Sequence, residues 1–221
     1  MTTQNSAFAL CVVLGVAAGC GLVILLLLFA SQYSRRNQQP IANKDAKLKV
    51  CIVCGSGGHT TEMIRLVANL GENYADRHYI IADTDRFSEG KVLGLEAKRT
   101  DGHFRISFIP RSREVRQSYL SSLLTTMKAI VSSLPIILFM QPDLVLCNGP
   151  GTCIPICFWA YLLDLFLVKS VKIVFIESIC RVKRLSLSGN ILYWLRIPDQ
   201  ILVQWPQLVQ RYPRVKFIGR L

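Results

Sequence analysis

The sequence predicts an α/β fold: one doubly wound domain built on a parallel sheet and carried behind a single membrane-spanning helix. Three observations predict it. From residue 48 onward, short apolar runs alternate with stretches of helical periodicity, and strands joined through helices pair in parallel. Two of these runs stop at glycine loops that open onto helices, Gly55-Ser-Gly-Gly-His-Thr60 and Asn148-Gly-Pro-Gly-Thr152. Charge is segregated: of 221 residues, all 26 Lys+Arg and all 14 Asp+Glu lie between Arg35 and Arg220, leaving residues 1–34 uncharged.

The leader comes first. Ala7 to Ala30 is apolar and ends in Leu22-Val-Ile-Leu-Leu-Leu-Leu-Phe29, long enough as a helix to cross a hydrocarbon core of about 30 Å. No Lys or Arg precedes it and the core is too long for a cleaved signal, so an uncleaved anchor over residues 1–30 is expected. Arg35, Arg36, Lys44, Lys47 and Lys49 follow it, which directs the body to the cytosol and the short N-terminus across the membrane. Residues 31–47, polar and holding Pro40, form a tether to the domain at 48–221.

Within the body, Leu48–Cys54 is a buried parallel strand, and Thr60–Leu70 carries a helical apolar pattern closed by Gly71. His78–Ala82 and Phe104–Ile109 are the next strands. Tyr119–Met140 is a long helix interrupted by Pro135. Asp143–Cys147 is a strand, Thr152–Val168 an apolar helix, Val171–Ile176 a strand and Leu187–Leu195 a helix. Gln200–Val203 and Val215–Ile218 are late strands. Cys51 and Cys54 have the spacing of a metal or redox pair, but three residues of separation in a strand turn them to opposite faces, so two buried thiols are expected. His78 and His103 are assigned to strand and loop structure. Neither has a partner at ligand spacing, so no metal site is expected, and no cofactor.

In open parallel sheets ligands sit beyond the carboxyl ends of the strands. Gly55-Ser-Gly-Gly58 lets backbone N–H groups approach an anion at a helix N-terminus, with Ser56, His59 and Thr60 able to add hydrogen bonds. It is neither a Walker loop nor a complete dinucleotide fingerprint, and a tight turn without a ligand is the competing reading. Asn148, Gly149, Gly151 and Thr152 form the second loop. Glu177 and Ser178 end the fifth strand ahead of Arg181, Lys183 and Arg184, either a ligand-facing carboxylate with cations or a solvated loop. Asp83-Thr-Asp85 suits a turn as well as a contact. Arg111, Arg113 and Arg116 put cations near the same edge, to bind phosphate or simply to be solvated. The net charge of +12 suits anionic lipid or a phosphorylated ligand. There is no Lys/Arg-striped helix and no aromatic RNA-binding signature, which argues against nucleic acid. No Gly-x-Ser-x-Gly elbow is present, which removes the common hydrolase motif.

Taken together, Gly55-Ser-Gly-Gly-His-Thr-Thr-Glu62, Ile81–Asp85, Ile109-Pro-Arg-Ser-Arg-Glu-Val115, Pro142–Thr152, Glu177-Ser-Ile-Cys-Arg-Val182 and Val203-Gln-Trp-Pro206 resemble, in the same order, one eukaryotic family. These are the membrane-anchoring subunits of the N-acetylglucosaminyltransferase that adds the second GlcNAc to the dolichol-linked oligosaccharide. The resemblance implies a Rossmann-like domain forming the acceptor half of a glycosyltransferase of the two-domain B type. It is similar to the N-terminal domain of the bacterial enzyme that glycosylates the peptidoglycan lipid precursor. The partner it implies is a soluble catalytic chain that binds UDP-GlcNAc, and the place is the endoplasmic reticulum membrane. It also implies that Gly55 to Thr60 hold the dolichyl diphosphate of the acceptor, that His59 and Glu62 lie close to the sugar, and that Asn148 to Thr152 and Glu177 line the same cleft. Arg111, Arg113 and Arg181 would serve the diphosphate. His59, Glu62 and Glu177 are the expected catalytic residues, His59 either as base for the acceptor hydroxyl or as a hydrogen-bond donor to diphosphate. A non-catalytic recruitment scaffold without ligand contacts is the rival reading.

Overall fold

The computed structural model of the protein describes residues 47–112, 119–149 and 151–220; the anchor, the tether up to residue 46 and Arg113 lie outside the described residues. Among those described, no helix is long and apolar enough to cross a membrane.

The chain runs β1 (Lys49–Val53), α1 (Gly58–Ala68), a 3₁₀ turn (Glu72–Tyr74), β2 (Asp76–Ala82), α2 (Arg86–Glu96), β3 (His103–Ile109) and α3 (Tyr119–Met140). It continues through β4 (Leu144–Asn148), α4 (Cys153–Leu165), β5 (Lys172–Ile176), α5 (Leu187–Leu195), β6 (Gln200–Val203), α6 (Pro206–Arg211) and β7 (Val215–Phe217). The seven strands form one sheet in the order β3-β2-β1-β4-β5-β6-β7, and every neighbouring pair is parallel. The order reverses at β1: the chain first builds outward to β3, then returns to lay β4 on the other side.

Both faces of the central strands are covered, so their sequences are apolar throughout instead of alternating. Val50, Ile52, Cys54, Tyr79, Ile81, Leu146 and Ile176 point into a layer shared with Met63 and Val67 of α1 and Val92 of α2. Cys51, Val53, Ile80, Val145, Cys147, Ile173 and Phe175 point into the other layer, shared with Ile137 of α3, Ile156 and Ala160 of α4 and Leu192 of α5. Cys51 and Cys54 therefore do part to opposite faces. Burial pushes the Cys54 thiol up to about 12 and Cys51 well above its ordinary value, so both stay protonated and pack as small hydrophobes. Each fully buried Val, Ile or Phe contributes about 1.5–3 kcal/mol.

The elements differ from the sequence expectation at four places. Helix α2 has no counterpart in the sequence expectation, which leaves Asp83–Asp85 as a turn or a ligand contact; Asp85 caps the helix, accepting from the Ser88 N–H at 3.1 Å. Two glycines at 90 and 94 and few apolar residues mask its periodicity. Strand β2 starts two residues earlier than expected, because Arg77 is buried there. Its guanidinium is matched bidentately by Glu96 at the end of α2, at 2.8 and 2.7 Å, and the Asp101 carbonyl accepts from it at 2.9 Å. His103 opens β3 instead of lying in a loop, and the short helix α6 was not expected at all.

Candidate active site at the sheet reversal

Where strand order reverses, the connections leaving the two adjacent strands diverge to opposite faces and open a crevice. Here that point lies between β1 and β4, so the two glycine loops are neighbours in space. Helix α1 begins at Gly58, two residues before the expected start, with Gly57 at φ +64° and no side-chain cap on its first turn. Ser56, Gly57 and Gly58 are exposed and His59 is half-buried. The anchor of this loop is Gly55, whose carbonyl accepts from Thr60 Oγ1 and, at 3.1 Å, from Ser88 Oγ. Thr60 is thus turned inward and fully buried. Its hydroxyl fastens the loop and does not face a diphosphate, contrary to the sequence expectation.

The second loop presses against the first. Gly149 holds φ +79°, and a Cβ there would fall 2.2 Å from His59 Nδ1. His59 Nδ1 lies 2.8 Å from Asn148 Oδ1, and Asn148 Nδ2 donates to Glu62 Oε2 at 3.0 Å. Glu62, from the second turn of α1, is buried, and further donors converge on it. Ser178 Oγ lies at 3.0 Å and Gln204 Nε2 at 3.1 Å, and the Ile179 N–H points at its two oxygens at 3.3 and 3.4 Å. Thr152 is buried, and Gly151 packs beside Ser112, the residue after half-buried Arg111.

Glu177 requires a correction. It is fully buried. Its carboxylate accepts from the Ser178 N–H at 3.1 Å, and from the N–H and hydroxyl of Ser186 at 2.8 and 3.0 Å. Burial raises its pKa, opposed by those hydrogen bonds and by the charge of Arg181. It shapes the loop into α5 and offers no surface to a substrate. Glu62 is likewise one step behind the surface. Arg181 is exposed at the start of the same loop.

The structure thus joins His59, Glu62, Asn148 and Gly149 in one cluster, flanked by Gly55–Gly58. Sequence reasoning missed Lys91. It reaches from α2 to the first loop, donating to the Gly57 carbonyl at 3.2 Å and to Thr61 Oγ1 at 2.8 Å, and so sets a cation beside the exposed N–H groups. It was hidden because α2 was hidden. Gln204 was quoted within a motif, yet nothing in its sequence surroundings links it to Glu62. Among the described residues no group of three or more His, Cys, Asp or Glu side chains is placed to hold a metal ion.

The fold and site define a doubly wound α/β domain with a half-buried histidine held between two glycine loops at its reversal point. The chain is similar in fold to MurG of Acinetobacter baumannii (TM-score 0.53, 16% identity, 72% of this chain and 42% of that one). It is also similar in fold to a UDP-N-acetylglucosamine 2-epimerase (TM-score 0.51, 19% identity, 75% and 43%); it spans less than half the length of either. The family described as "Oligosaccharide biosynthesis protein Alg14 like" matches residues 50–221, and the chain belongs to it. Relatives named "UDP-N-acetylglucosamine transferase subunit ALG14" are 45% identical in Rattus norvegicus, over 96% of this chain and 99% of that one. The corresponding figures are 44% in Homo sapiens, over 95% and 98%, and 39% in Yarrowia lipolytica, over 93% and 97%.

Proposed function

We propose that this chain is the acceptor-binding subunit of a two-chain UDP-GlcNAc transferase, held at the endoplasmic reticulum membrane with its body in the cytosol. It would act with a soluble partner that binds UDP-GlcNAc and would make dolichyl-diphosphate-chitobiose. The names of its relatives support the subunit reading. The observation that carries the acceptor role is His59, half-exposed between Gly55–Gly58 and Gly149 at the carboxyl ends of β1 and β4. The loop N–H groups, the first turn of α1 and Lys91 would neutralise the acceptor diphosphate. His59 would take the proton of the acceptor hydroxyl as its oxygen attacks the anomeric carbon of the donor, with UDP leaving and the configuration inverted. Arg111 and Arg181 would extend the cationic rim.

The test is transfer of labelled GlcNAc from UDP-GlcNAc to dolichyl-diphosphate-GlcNAc in membranes holding both chains. His59→Gln is expected to lower the rate about 10²- to 10⁴-fold, the range of a positioned base, with partner recruitment intact. A rate equal to wild type would leave the chain as a recruitment scaffold. Neither chain alone is expected to turn over.

A further inference from the structure

We infer that Glu62 and Asn148 are positioning residues that hold His59 in the tautomer protonated on Nδ1, so that Nε2 carries the lone pair and receives the substrate proton. This rests on the reading of His59 as the base, and it separates the two roles that the sequence left open for that residue.

Four donors face the Glu62 carboxylate: Ser178 Oγ, the Ile179 N–H, Gln204 Nε2 and Asn148 Nδ2. Ser178 Oγ itself accepts from the Cys180 N–H at 3.3 Å, which leaves its proton directed at Glu62. Gln204 cannot be turned round, because its NH₂ also donates to the Glu177 carbonyl at 3.1 Å. The Glu62 oxygens are therefore receivers on every side. Asn148 is fully buried and must point its NH₂ at Glu62; the opposite orientation would set a carbonyl oxygen against a carboxylate away from water.

With its NH₂ spent, Asn148 shows only a carbonyl oxygen to the imidazole. A carbonyl accepts and cannot donate, so the ring nitrogen 2.8 Å away carries the proton. A neutral imidazole has one N–H, and the other nitrogen is left as the acceptor. Gly149 closes the back of the ring, since its missing Cβ would lie 2.2 Å from Nδ1 and 2.3 Å from Cε1. In the reaction, the acceptor O–H bond breaks toward Nε2 while its oxygen bonds to the anomeric carbon and the bond to UDP opens. The imidazolium that results keeps its Nδ1–H on Asn148, with the Glu62 charge behind it. In this tautomer Nε2 has no hydrogen to give a diphosphate.

The full-length chain, labelled with [15N]histidine in detergent micelles, has three histidines to observe, and His59→Gln identifies the signals of His59. With the ring neutral, as the 15N shifts themselves report, the ring 15N–1H correlations are expected to show His59 protonated on Nδ1. An Nε2–H form or an even mixture would overturn the inference. Glu62→Gln frees the orientation of Asn148. It should shift His59 toward a mixture and lower kcat about 10- to 100-fold with the acceptor KM within about twofold, while the signals of His78 and His103 stay in place. An unshifted tautomer with unchanged kcat in Glu62→Gln would remove Glu62 from the positioning role. Full activity of His59→Gln beside an Nδ1–H wild-type ring would instead defeat the base assignment and leave the tautomer standing.

Discussion

Gly149 leaves room for a hydrogen atom and for nothing larger, because the face of the His59 ring occupies the space where a methyl group would go. Its positive φ adds a second reason for glycine. Gly149→Ala is therefore expected to cost about 1–3 kcal/mol of stability and, by displacing the ring, to lower the transfer rate about 100-fold. Thermal unfolding and the membrane assay separate the two effects. Glu177 makes a different prediction. Its folded pKa is raised above the ordinary value of 4.5, chiefly by burial, so the folded state holds that proton more tightly than the unfolded chain. Stability from this group is greatest below 4.5 and falls as pH rises through the folded value. Subtracting the unfolding free energy of Glu177→Gln from that of wild type, from pH 4 to about pH 7, should give a difference that declines with pH. A flat or rising difference would mean that burial does not dominate at this carboxylate.

At the scale of elements, the buried pair Arg77–Glu96 ties the start of β2 to the end of α2, with both side chains 1% exposed. The Tyr79 hydroxyl also donates to Glu96. Removing one partner leaves a buried charge uncompensated, so Glu96→Leu is expected to destabilise by about 3–5 kcal/mol, whereas the pair change Arg77→Met with Glu96→Leu should recover much of that loss. Urea unfolding of the wild type and the two variants measures it. The same pair explains a limit of the sequence. An arginine in a strand looks exposed until its partner is found, and that partner sits on α2, whose glycines hid it. Strands β4 and β5 were legible because burial on both faces forces continuous apolar runs, and helices α3 and α5 because their patterns are long or sharply capped. The glycine loops were legible as well. The network behind them was not: Glu62 meets Asn148 across 86 residues and Gln204 across 142, and only the sheet order brings those distances to hydrogen-bond length. For the same reason, Glu177 and Thr60 read as ligand-facing in a linear sequence although folding turns both inward.

For the whole molecule, the proposed function gives the expected anchor the task of setting where the chain resides and the folded body that of binding. Removing residues 1–46 is expected to move the chain from the membrane to the soluble fraction while leaving the unfolding temperature of the body unchanged, as fractionation and thermal unfolding would show. A body that still pellets with membranes would mean that surfaces of the domain itself hold it there.

The all-parallel sheet also has a consequence in time. Strand β1 lies at the centre, with β2 on one side and β4 on the other, and Lys49 is separated from its neighbour Asp143 by 94 residues. A ribosome adding about 5–20 residues per second delivers β4 some 5–20 seconds after β1. Throughout that interval, one edge of a strand buried from Val50 to Val53 has no neighbour, and no local hairpin shields it, because every neighbouring strand pair among the described residues is parallel. The nascent chain is thus most exposed to misassociation between the completion of β3 and the arrival of β4. Chains stalled or truncated in that window are expected to be insoluble, whereas those extended past β5 can close the sheet around β1.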